Sequence, residues 1–152
     1  MKQNQITISE VKLIYRSKIK ASERLKVKCS KDAYDIFMER WDQDILEHVE
    51  QVKLMLLNRS NAVLGIMELS KGGISGTVTD VRLVFQAAIK ANASGVILVH
   101  NHPSSNINPS EADTRLTQKL KEAGNLMDIQ LLDHLILSTE GEYYSYADNG
   151  LL

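Results

Sequence analysis

The stretch Gly95–Asp113, GVILVHNHPSSNINPSEAD, decides how this chain is read. Gly95 to Val99 run small and apolar straight into His100, Asn101 and His102. An unbroken apolar run of this length, bounded by turn residues, predicts a strand buried on both faces and central in its sheet. Side chains on a strand alternate faces, so His100 and His102 point the same way if the extension continues through Asn101. Pro103 and Pro109 stiffen the loop that follows. The residues PSEAD then read as a helix start, with Ser110 at the N-cap and Asp113 at the acid position of a capping box.

Working outward, the periodicity predicts alternating strands and helices. QVKLMLLN (51–58) and AVLGIMEL (62–69) read as a hairpin turned by Asn58–Asn61. VRLVFQAAIKANA reads as an amphipathic helix capped by Thr79 or Asp80. A second helix is expected from Glu111 to Ala123, stopped by Gly124. IQLLDHLILS and EYYSYAD form a closing strand pair. Upstream, KDAYDIFMERWDQDIL places Ala33, Ile36, Phe37, Trp41 and Ile45 on one helical stripe behind an N-cap at Ser30. The glycine-rich SKGGISGT reads as flexible, with the form of a flap. VKLIYRSKI, near the N-terminus, reads as an edge strand whose lysines discourage further pairing. This order predicts an α/β domain of three layers, α-β-α, around a mixed sheet over residues 30–152, preceded by a basic N-terminal extension over 1–29.

Composition narrows the function classes. With 152 residues, 43% hydrophobic and 24% charged, the chain suits one globular domain. The formal net charge of −1 is not that of a nucleic-acid binder taken whole. Charge is nonetheless uneven: Lys12, Arg16, Lys18, Lys20, Arg24, Lys26, Lys28 and Lys31 cluster against Glu23 alone. Such an arm is either solvated or a contact for nucleic acid or an acidic partner, and Tyr15 is its one aromatic for base stacking. A single cysteine, Cys29, favours a reducing compartment; with no apolar run of membrane-spanning length and no signal-peptide core, the expected location is cytoplasmic and off the membrane.

Two imidazoles on one face of a strand end, in a partly desolvated place, suit a borderline metal when neutral. Asp113, in the first turn of a helix whose dipole keeps it ionised, is the third candidate ligand. Capping alone would also explain Ser110 and Asp113. Two histidines and one carboxylate leave a coordination position open, the pattern of a catalytic zinc site, although the same set can hold Fe(II).

HNHPSSNINPSEAD resembles the JAMM (MPN+) metalloprotease motif: His-x-His, seven residues, Ser, two residues, Asp. VHNHPS together with the later LLDHLIL resembles the RadC-like branch of the JAB domains, over roughly Gln51 to Leu152. The resemblance implies a cytidine-deaminase-like fold and one Zn²⁺ held by His100, His102 and Asp113, with a water as fourth ligand. It implies a general acid/base glutamate from an upstream strand, for which Glu68 is the matching position, and an oxyanion donor, Ser110. Asp133 and His134 are expected to pack in the core or to orient a ligand imidazole. The implied activity is hydrolysis of a peptide or isopeptide-like amide in a protein or peptide-like substrate. The alternative is a DNA-associated accessory protein of the DNA-repair type, binding nucleic acid through the basic arm with little or no catalysis; longer RadC relatives carry a helix–hairpin–helix, for which this chain lacks room.

Overall fold

A computed structural model describes residues 9, 10, 12, 14–72 and 78–152. Five strands form one mixed sheet in the order β2-β1-β3-β4-β5. They are β1 (Gln51–Leu57), β2 (Val63–Lys71), β3 (Gly95–Asn101), β4 (Gln130–Leu137) and β5 (Tyr143–Ser145). β3 is central as expected; it pairs antiparallel with β1 and parallel with β4. Every residue of β3 is buried, which explains its unbroken apolar sequence.

Alternation along β1 and β3 feeds two cores. Val52, Leu54, Leu56, Val96 and Leu98 face α3 (Val81–Lys90) and α4 (Glu111–Leu126), packing on Val84, Phe85, Ala88 and Leu120. Met55, Leu57, Ile97 and Val99 face α1 (Ser30–Arg40), packing on Ala33, Phe37 and Trp41. The result is the expected α/β domain of three layers. Each fully buried leucine, such as Leu54 or Leu98, contributes roughly 1.5–3 kcal/mol over its exposed state.

Several local expectations change. The first helix begins at Ser30, but Cys29 is its N-cap. The Ser30 hydroxyl is drawn instead to Asp148 and Tyr143. The long stripe through Ile45 breaks at Trp41, whose backbone is extended. It resumes as the single turn α2 (Gln43–Leu46), because the Asp42 side chain accepts from Asp44 N and starts a new helix. The α3 cap is Asp80, accepting from Arg82 N. α4 does not stop at Gly124 but runs through it to Leu126. That glycine serves a close approach: an added Cβ would stand 2.3 Å from the Ile129 carbonyl oxygen, whose chain folds back beneath the helix.

The arm forms no strand among its described residues. Ser17 turns onto Ile19, and Tyr15 donates its hydroxyl to Leu64 O at 2.6 Å. Nearer the domain, the arm meets the sheet through the Lys26–Ala62 bridge and its flanking hydrogen bonds. Of the expected flap, Ser70 and Lys71 belong to β2, and residues 73–77 lie outside the described residues. No helix among the described residues is long and apolar enough to cross a membrane.

Candidate metal centre

β3 delivers His100 and His102 to the end of the sheet where the loop to α4 begins. Val52 lies opposite His100 and faces α3 and α4, so His100 faces that side too. The capping box at the start of α4 then brings Asp113 over the same edge. His100 Nε2 stands 2.9 Å from His102 Nε2 and 3.3 Å from Asp113 Oδ1; His102 Nε2 stands 3.6 Å from Asp113 Oδ2. The three side chains are the group among the described residues that could hold a metal ion, with one ligand atom each within 4.8 Å of the others. Their side chains are 3%, 17% and 13% exposed, so the cluster is desolvated yet open on the His102 side.

Hydrogen-bond chemistry tests the fit to a cation. His102 Nδ1 meets the Asn106 carbonyl, which can only accept, so Nδ1 carries the proton. Its Nε2 is left as a bare lone pair aimed at His100 and Asp113. Burial alone would raise Asp113; the contacts from His100, His102 and Ser110 overcome it and hold the carboxyl well below the usual carboxylate range. Burial alone would lower His102; the Asp113 contact and the Asn106 carbonyl outweigh it and raise its affinity for a proton. A carboxylate held ionised beside imidazole lone pairs is a donor set for a divalent metal.

Ser110 sits at the centre of the cap. Its Oγ accepts from Asp113 N at 3.1 Å and donates to Asp113 Oδ2 at 2.6 Å, while its backbone N–H reaches the same oxygen at 2.7 Å. Capping and ligand positioning therefore coincide in one pair of residues.

Glu68 is not brought to this cluster. It pairs with Lys53, whose ammonium lies over the Trp41 ring on the α1 face, opposite His100. Its carboxylate is exposed and accepts from Gln51 Nε2 at 2.9 Å. That pairing lies in the regular stretch of the β1–β2 ladder, Lys53–Leu56 against Gly65–Glu68, so Glu68 shares a face with Lys53 and Ile66.

A different acid takes the place, one that the sequence reading passed over. Glu50 immediately precedes β1, and continuing the Val52–His100 register by two positions sets it beside His102. Its half-buried carboxyl is pushed above its usual value by burial, opposed by His100 and His102 and reinforced by Asp113. Asn101 fixes the segment that carries it. Pointing to the opposite face from the histidines and fully buried, Asn101 donates to Leu46 O at 2.8 Å and Val49 O at 2.9 Å, and accepts from Gln51 N at 2.7 Å. Available signals were the position of Glu50 at the head of a strand and the pairing of that strand with β3.

His134 contacts a candidate ligand directly: its Nε2 lies 2.9 Å from His100 Nδ1, and its ring stacks on Tyr146 with centroids 5.1 Å apart. Burial, with His100 nearby, pushes its imidazole well below the usual histidine value. Asp133 touches no imidazole; it accepts from Ser145 Oγ, His134 N and Ala147 N and so ties β4 to the turn after β5.

Comparison with known proteins agrees with this architecture. The family model described as RadC-like JAB domain matches residues 27–151. A UPF0758 protein of Flavobacterium johnsoniae is 48% identical over 126 residues, covering 83% of this chain and 53% of its own. A UPF0758 protein of Porphyromonas gingivalis is 46% identical over 103 residues, covering 68% and 45%, and one of Clostridium beijerinckii is 32% identical over 147 residues, covering 97% and 62%. The chain spans about half the length of the curated relatives it matches.

Proposed function

Because the chain belongs to the RadC-like JAB domain family, we propose that it is a zinc-dependent hydrolase of the JAMM type, cleaving a peptide or isopeptide-like amide bond. The observation that carries this reading is the convergence of His100 Nε2, His102 Nε2 and an ionised Asp113, with 2.9 Å between the imidazole nitrogens and 3.3 and 3.6 Å from them to the carboxylate, at an edge open to solvent. Those three residues would hold the ion. Zinc there would supply Lewis-acid activation of water and of a carbonyl near neutral pH.

The protein's own groups do the rest. Glu50, with its raised proton affinity, takes a proton from the attacking water on a carboxylate oxygen and returns it to the leaving amine nitrogen. Ser110, whose hydroxyl rests on Asp113 Oδ2, turns that proton to the oxyanion of the substrate while its backbone N–H keeps Asp113 in place. Glu50 replaces Glu68 in the acid/base role, because Glu68 faces the other side of the sheet.

The test is metal analysis of the purified protein followed by hydrolysis assays on peptide and isopeptide-linked substrates. About one zinc per chain, lost in the Asp113→Asn protein, supports the reading. Iron as the resident metal, or undiminished hydrolysis by Glu50→Gln, would overturn it.

A second reading, nucleic-acid contact through the arm, is favoured by exposed Arg16, Lys18, Lys20, Lys26 and Lys28, none of them in a salt bridge among the described residues. It expects DNA binding that weakens steeply with salt and disappears when the arm is deleted. No binding at low salt removes it.

A further inference from the structure

A line of hydrogen bonds leaves the candidate centre through the core and returns to the helix that supplies Asp113. Its members are the Asp113 carbonyl, the Thr117 hydroxyl, His134, His100, His102 and the Asn106 carbonyl. The successive contacts are 2.7 Å from Thr117 Oγ1 to Asp113 O, 2.6 Å from Thr117 Oγ1 to His134 Nδ1, 2.9 Å from His134 Nε2 to His100 Nδ1 and 2.9 Å from His100 Nε2 to His102 Nε2. The last runs from His102 Nδ1 to Asn106 O.

Both ends of this line are backbone carbonyls, which only accept. Between them stand one hydroxyl and three imidazoles, each bringing one proton when neutral. The five contacts therefore have four protons, and one contact must lack a hydrogen. The direction of every bond depends on where that gap falls. When Thr117 donates to Asp113 O, its lone pair must receive Nδ1–H of His134. His134 Nε2 is then an acceptor and takes Nδ1–H of His100. The gap lands between His100 Nε2 and His102 Nε2, the one contact with a carboxylate beside it. Reversing the line moves the gap to Thr117 and Asp113 O, 2.7 Å apart, and turns an N–H of His100 toward the centre, where it cannot bind a metal.

We propose that Thr117 is a positioning residue that selects the metal-binding tautomer of His100 through His134. This inference rests on the metal reading above. The spacing explains the economy of the arrangement: Asp113 and Thr117 are one helical turn apart, so a single turn of α4 presents both the carboxylate and the hydroxyl that sets the opposing imidazole. The relay is shielded from competing water, since Thr117 is 3%, His134 0% and His100 2% exposed. The stacked Tyr146 ring and its hydroxyl contact with Thr114 keep His134 in line.

The experiment measures zinc affinity by competition with a chromogenic chelator, for wild type, Thr117→Val and Thr117→Ser, together with imidazole nitrogen-15 spectra of the zinc-loaded wild type. Valine keeps the shape and removes the hydroxyl; serine restores it. The expected result is affinity lowered ~10–100-fold in Thr117→Val and recovered in Thr117→Ser, with His134 protonated at Nδ1 alone. Equal zinc affinity in wild type and Thr117→Val, or a failure of serine to restore it, overturns the relay while leaving the metal centre standing. A wild type that binds no zinc overturns both. Should the valine protein fail to fold, the spectrum decides by itself: a proton on Nε2 of His134 refutes the proposal.

Discussion

The two ends of strand β3 make opposite use of polar residues. At its start, Gly95 borders a cavity of about 520 Å³ together with Asn58, Arg59, Asn61, Asn125 and Gln130. At its finish, His100 and His102 meet Asp113, with one ligand atom of each within 4.8 Å of the others. The cavity is roomy, yet its polar side chains are mostly exposed and no histidine or cysteine lines it. At the far end the imidazoles and carboxylate converge, with ligand atoms 2.9–3.6 Å apart, and are largely desolvated. Chemistry follows convergence and desolvation, which strengthen charge interactions and fix proton positions. The volume of a cleft does neither.

Substitutions at the two ends should separate sharply. The largest effect is expected for Asp113→Asn, which keeps a capping side chain but removes the anionic ligand: zinc content of the purified protein should fall from about one per chain to near none, read by metal analysis. Glu50→Gln comes next. It should retain the metal and lose hydrolysis by ~10²–10⁴-fold, whereas Glu68→Gln, on the opposite face, should leave rate and metal unchanged. Equal losses in the two glutamine variants would erase the distinction between the faces of β1. Asn101→Ala strands the Leu46 and Val49 carbonyls and the Gln51 N–H, and should lower stability by about 2–4 kcal/mol in denaturant melts. The smallest effect belongs to the other end of the strand: Arg59→Ala, an exposed change in the large cavity, should stay within ~0.5 kcal/mol of wild type and leave zinc affinity alone. A strong loss of hydrolysis there would reverse the contrast.

The sequence made the three-layer α/β fold and the histidine–aspartate cluster legible for the same reason. The signals are local: an apolar run, a two-residue alternation and a cap all act over a few neighbouring positions. Glu68 and Glu50 show where local signals end. Glu50 precedes β1 and Glu68 lies within β2, and neither local pattern says which acid will face the histidines. Their separation depends on the β1–β3 register and on the β1–β2 pairing, which are agreements between distant segments. The break at Trp41 and the passage of α4 through Gly124 have the same character, since a competing cap and a returning chain overrode the periodic pattern.

By itself, then, the sequence determined which residues form buried strands and helices, and that His100, His102 and Asp113 are close enough along the chain to meet. Only the tertiary structure decided which carboxylate joins them, and that Thr117 and His134 complete a line of hydrogen bonds behind them. The physical reason is that a strand's pattern sets two faces without saying which neighbour each face will see. Proton positions in a buried network depend on every partner at once, and those partners come from four separate segments of this chain.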